Sequence, residues 1–103
     1  MPCPVTYDDC IVRGTTITIR WITSISGACG VPTKAYLQVK NPKSNNYETI
    51  QTLSGNATSA SFDYTQWVSS TKYVYARIVL ENEKGTFTNL SKVYDVKNTK
   101  WLF

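Results

Sequence analysis

The sequence predicts a single all-β domain, an antiparallel two-sheet sandwich of about seven strands. One observation is the run 73–82, rich in β-branched and aromatic residues, which places Val74, Ala76, Ile78 and Leu80 on one face and is fed by a turn opening at Trp67. A second is that short segments of apolar/polar alternation recur at intervals of about ten residues, parted by clusters of Gly, Pro, Asn and Ser. The third is that no segment carries a convincing 3.6-residue apolar period, which argues against helices between the strands.

The elements follow in order. In residues 16–22, Ile17, Ile19 and Trp21 alternate with Thr16, Thr18 and Arg20, the pattern of a half-buried strand. Two glycines and Pro32 break the chain over 26–32. Residues 34–40 resume as a strand with Leu37 and Val39 on one face, and 41–46 is a turn rich in Asn, Pro and Ser. Residues 47–53 make a third strand. After a turn at 54–56, residues 59–64 make a fourth, with Ala60, Phe62 and Tyr64 aligned. The long strand over 72–82 then turns through Asn82 to Gly85 into a last strand ending near Val96.

With 103 residues the chain has the length of one domain, able to bury a core without disulfides or metals. At 42% hydrophobic and 17% charged residues it falls outside the composition of disordered chains. No apolar run approaches the ~20 residues of a membrane span, and the start of the chain lacks the basic and apolar regions of a signal peptide. A protein made and used without export is expected, in which the sequons at Asn56 and Asn89 stay unmodified. Three cysteines, Cys3, Cys10 and Cys29, cannot all pair within the chain. A bridge from Cys3 to Cys10 across Asp8 and Asp9 and three free thiols both stand open; a reducing compartment favours the thiols.

The net charge of +4 is spread over nearly every segment rather than gathered in a tract, so it reads as a solvated surface with a mild preference for acidic partners. Nucleic acid is therefore not the expected partner. With no histidine, no Gly-rich phosphate loop and no nucleophile in a recognisable setting, no catalytic residue is assigned and the chain is not expected to be an enzyme. Three thiols would need Asp8 or Asp9 to complete a zinc site, and neither a metal nor any other cofactor is expected.

The residues over about 10–97 resemble the fibronectin type III and immunoglobulin-like superfamily. The early core tryptophan of the fibronectin type III pattern matches Trp21. The apolar residue six positions ahead of the corner tyrosine matches Trp67, with Tyr73 as the corner, and Asn82, Gly85 and Ser91 match the family's closing turn and strand. The resemblance implies a sandwich with Trp21, Trp67 and Tyr73 in core and corner positions. Two departures stand out: the interval from Tyr73 to Gly85 is one residue longer than the family's, and residues 67–70 lack its usual proline and glycine. With the apolar face falling on Val74, a bulge or a lost tyrosine corner is implied. Sandwiches of this kind host many unrelated functions.

Outside the domain at 10–97, an N-terminal arm (1–9) carries Pro2, Pro4 and Tyr7, and a tail (98–103) carries Trp101, Leu102 and Phe103. Prolines disfavour a central ladder, and three large apolar residues after the last strand either fold back over an open end or dock on a partner. In kind, a lone sandwich with apolar ends is similar to the small auxiliary or decoration proteins of tailed bacteriophages. That similarity implies a virion protein, made in the host cytoplasm, whose termini and one sheet edge grip the major capsid protein or another virion protein, with outer loops free to meet host glycans. The alternative is a module of a longer bacterial surface or carbohydrate-processing protein, with Tyr36, Tyr47, Tyr64 and Trp67 as a sugar platform.

Overall fold

Alternation in the sequence becomes two facing ladders. The structure, a computed structural model, describes residues 5–22, 31–88 and 91–102. Nine strands are found there: β1 (Thr6–Arg13), β2 (Thr16–Ile22), β3 (Lys34–Lys40), β4 (Tyr47–Ser54), β5 (Ser59–Asp63), β6 (Tyr73–Asn82), β7 (Gly85–Phe87), β8 (Lys92–Asp95) and β9 (Lys100–Trp101). A short 3-10 turn at Thr65–Trp67 links β5 to β6. All pairings are antiparallel, in a three-stranded sheet ordered β1-β2-β5 and a six-stranded sheet ordered β4-β3-β6-β8-β9, with β7 also on β6. This is an all-β, antiparallel two-sheet sandwich, as the sequence predicts.

The inward faces are those the alternation assigns. Ile17, Ile19 and Trp21 of β2 and Ala60 and Phe62 of β5 close against Leu37 and Val39 of β3 and Val74, Ala76 and Ile78 of β6. Each large apolar side chain so buried contributes ~1.5–3 kcal/mol, so this interior is the main source of stability. Trp21 is buried at the centre, and its indole N–H finds no partner among the described residues. Gly55 sits where a Cβ would lie 2.0 Å from the Pro32 carbonyl oxygen, and its N–H donates to the Thr33 carbonyl. That close approach ties the β4–β5 turn to the start of β3.

Two strands lie where the sequence shows none. β1 begins inside the stretch read as an arm, and Val5 just ahead of it is fully buried. A bulge between Tyr7 and Cys10 sets three steps of β1 against two of β2, so Tyr7 and Cys10 both pack on the core although an odd number of residues apart. Period-two reading fails across such a bulge. β9 lies inside the stretch read as a tail: Trp101 pairs with Tyr94 of β8, their rings 5.1 Å apart, and the Leu102 N–H donates to the Val93 carbonyl. The turn before β9 is held by Asp95, which accepts from the Asn98 backbone N–H and side-chain amide, and by Thr99 at a φ of 52°.

The last strand expected over 86–96 is split in two. β7 pairs with Leu80 to Asn82 and β8 with Tyr73 to Ala76, which leaves Ile78 facing a break in the ladder. Its N–H donates across the sandwich to the Tyr7 hydroxyl at 3.0 Å, and its carbonyl accepts from Thr88 Oγ1 at 2.9 Å. Burial pushes the Tyr7 hydroxyl above its ordinary pKa, and the Ile78 N–H opposes that rise. Tyr7 is thus a link between sheets.

Three outcomes follow. Tyr7→Phe orphans the Ile78 N–H and is expected to lower stability by about 1–3 kcal/mol, read as a lower urea midpoint; an unchanged midpoint would mean that water supplies the bond. Deleting residues 100–103 uncovers Tyr94 and removes the Trp101 contact. We expect a loss on the order of 2–4 kcal/mol in the isolated monomer, and an unaltered thermal midpoint would assign the tail to a partner. Asp95, held below its ordinary value by the Asn98 side chain and then its N–H, and Asp63, held down by the Thr65 N–H and hydroxyl, add stability above the unfolded carboxylate pKa near 4. That contribution is lost as the pH falls through their lower folded values. Equilibrium unfolding between pH 5 and about 2 should show this loss, and Asp95→Asn should flatten it.

Candidate functional site

Sheet pleating puts every second residue of β3 and β6 on the outer face of the larger sheet. There the chain presents Tyr36, Gln38 and Lys40 from β3 and Tyr73, Tyr75, Arg77, Val79 and Glu81 from β6, each beside a cross-strand partner fixed by register: Tyr36 with Val79 and Gln38 with Arg77. β4 adds Tyr47 and Thr49 opposite Lys40 and Gln38, and β7 adds Thr86 opposite Glu81. Four tyrosines on one half-exposed face are more than strand pairing needs.

The polar groups on this face are held in place. Arg77 Nε donates to Gln38 Oε1 at 2.8 Å, and the Gln38 amide donates to Thr49 Oγ1 at 3.1 Å. The Arg77 guanidinium carbon lies 4.0 Å from the centre of the Tyr47 ring, a cation–π stack, while Lys40 caps Tyr75 at 4.6 Å. The Tyr47 hydroxyl is hydrogen-bonded to the Ser91 hydroxyl, which fastens the start of β8 to the same face. Tyr36 donates to the Glu81 carboxylate at 3.0 Å; partial burial and then this bond raise its hydroxyl pKa. Between these groups lies an open cleft of about 370 Å³, lined by Tyr36, Gln38, Thr49, Arg77, Val79, Thr86 and Thr88.

A second cleft of about 360 Å³ opens at the sandwich edge between β1 and β9, lined by Val12, Gly14, Tyr64, Tyr94, Thr99 and Trp101. Its aromatic wall is continuous, with Tyr64 6.0 Å and Trp101 5.1 Å from the Tyr94 ring. It lies along the seam between the sheets, with the hydroxyls of Tyr64, Tyr94 and Thr99 among its lining.

The residues singled out by sequence fall in different places. Trp21 is central to the core, and Trp67 ends the 3-10 turn and packs on the core edge. Tyr73 lies on the outer face, edge-on to Tyr75, while Val74 turns inward; only its backbone ties to Ser69, whose N–H donates to the Tyr73 carbonyl. Tyr7 and Trp101 are engaged inside the sandwich, and Leu102 is 39% exposed. Pro2, Pro4 and Phe103, with Cys3 and Cys29, lie outside the described residues. Cys10 is a free thiol whose pKa burial raises. Of the four aromatics read as a platform, Tyr36 and Tyr47 share the outer face, whereas Tyr64 and Trp67 belong to the sheet junction. Sequence reading missed Arg77 and Gln38; their signal was their place at alternate positions with Tyr36 and Tyr75.

Among the described residues no three His, Cys, Asp or Glu side chains come together, and no helix is long and apolar enough to cross a membrane. No family model matches the chain, and no curated protein matches it. Among solved structures, the crystal structure of the Clostridium perfringens spore cortex lytic enzyme SleM is similar, with a TM-score of 0.62 over 90% of this chain at 20% identity. The match takes up 27% of that enzyme, so this chain spans about a quarter of its length. At this identity the likeness is one of fold.

Proposed function

We propose that the chain is a non-catalytic binding module of a bacterial surface or carbohydrate-processing protein, and that the outer face of its larger sheet engages saccharide. The observation that carries this reading is the cleft of Tyr36, Gln38, Thr49, Arg77, Val79, Thr86 and Thr88. Val79 and the Tyr36 ring offer apolar surface to the C–H face of a sugar, and Tyr47 beside the cleft supports Arg77. Gln38, Thr49 and Thr86 offer both hydrogen-bond donors and acceptors, as hydroxyl-rich ligands require. Tyrosine and arginine on a firm scaffold give contact area at small entropic cost. The fold match adds support, since the neighbour is by its title a cortex lytic enzyme in which a sandwich of this size is a minor part.

The second reading, an auxiliary protein docked on a bacteriophage capsid shell by its termini, draws on the exposed Leu102. It is the weaker of the two, because Tyr7 and Trp101 already have partners inside the sandwich.

Sedimentation of the purified protein with insoluble bacterial cell-wall polysaccharide tests the proposal. The chain is expected to pellet with the polysaccharide, and a Tyr36→Ala, Tyr47→Ala double variant to lose at least ~10-fold in retention while its thermal unfolding stays cooperative. Equal retention of variant and parent, or none of either, would sink it.

A further inference from the structure

The geometry points to Arg77 as an anion receptor within this cleft, and we infer that the bound saccharide is acidic, carrying a carboxylate that pairs with the guanidinium. The inference rests on the saccharide reading above and names its ligand class. Arg77 is half-buried in the middle strand of the larger sheet, and the only side-chain hydrogen bond it makes among the described residues is from Nε to Gln38. Its terminal amino groups have no carboxylate partner there. Glu81, an acid on the same face, takes the Tyr36 hydroxyl instead.

The guanidinium is fixed in place with no acid partner among the described residues. An arginine needed only for solubility extends into water, whereas this one is stacked at 4.0 Å on Tyr47 and bonded through Nε. Those two contacts fix the plane of the fork and leave its terminal edge available, the arrangement suited to bidentate recognition of a carboxylate. The protein's excess of four positive charges favours an anion over a neutral or cationic ligand. A free carboxylate would satisfy Arg77 alone. The hydroxyls of Thr49 and Thr86 and the Val79 side chain in the same cleft suit a ligand that also has hydroxyls and an apolar C–H face, which a uronic-acid-type sugar has and a simple anion lacks.

The test is a two-dimensional NMR titration of the whole chain with a glucuronate-containing tetrasaccharide and with its carboxyl-reduced counterpart. Expected are shifts confined to residues around 36, 38, 49, 77, 79 and 86, binding of the acidic sugar at least ~10-fold tighter than the reduced one, and weakening of that preference with salt. Arg77→Gln should bring the acidic sugar down to the affinity of the reduced one, with Arg77→Lys between; the dispersion of the same spectra reports that each variant is folded. Equal affinity for both sugars overturns the carboxylate assignment and leaves the saccharide reading standing. A preference that survives Arg77→Gln overturns the site. Binding of neither sugar overturns both readings, and an acidic peptide of equal charge that binds tighter than the acidic sugar overturns the ligand class.

Discussion

A buried peptide group must have hydrogen-bond partners, and at Ile78 that requirement organises the sandwich. β6 is the spine of the larger sheet, paired along one side with β3 and along the other with two short strands that leave a break opposite Ile78. An N–H and a carbonyl left open there would each cost about 1–3 kcal/mol. Tyr7 fills one side of the break from the opposite sheet and Thr88 the other from the chain itself. The cross-sheet bond also fixes where β1 sits, because its bulge must turn both Tyr7 and Cys10 inward.

The same break shapes the outer face. Where the chain leaves the ladder after β7, Thr88 lines the cleft and Ser91 meets the Tyr47 hydroxyl. Tyr47 is thereby held across the sheet with Arg77 stacked on it, and Arg77 in turn is tied to Gln38 and through it to Thr49. The bond that satisfies the Ile78 carbonyl and the bond that holds Tyr47 thus both come from the same connection, between β7 and β8.

Much of this was legible in sequence wherever period-two alternation is unbroken. The alternation in β2, β3 and β6 named Ile17, Ile19, Trp21, Leu37, Val39, Val74, Ala76 and Ile78 as core, and these are buried. Legibility failed at bulges and at bonds formed over long sequence separation. The extra residue near Asp8 and Asp9 inverts the parity of β1, so Tyr7 and Cys10 do not read as one face. β9 is two residues long and exists because Asp95 and Asn98 close its turn and Trp101 meets Tyr94, contacts to which periodicity is blind. Arg77 reads as one cation among eleven until register sets it beside Gln38 and beneath Tyr47.

How the edges are built bears on how a partner would approach. Strand addition to a sheet needs a flat, regular edge with open backbone groups. β1 carries a bulge between Tyr7 and Cys10, β4 carries another at Ile50, and β9 offers two residues. Bulges twist an edge and put its groups out of register, so strand addition is disfavoured at β1 and β4, and the short β9 and the three-residue β7 offer little ladder. The remaining edge, β5, is a five-residue strand whose outward side chains are Ser59, Ser61 and Asp63, with Asp63 committed to the Thr65 turn. Of the two outer faces, the smaller sheet's has Thr18 and Ser61 satisfying each other, with Arg20 and the exposed Ile11 and Ile22 on the same side, while the larger sheet's presents rings, an amide and a guanidinium held by Gln38 and Tyr47. A guanidinium held in this way has less freedom to lose on meeting an anion than one that extends into water.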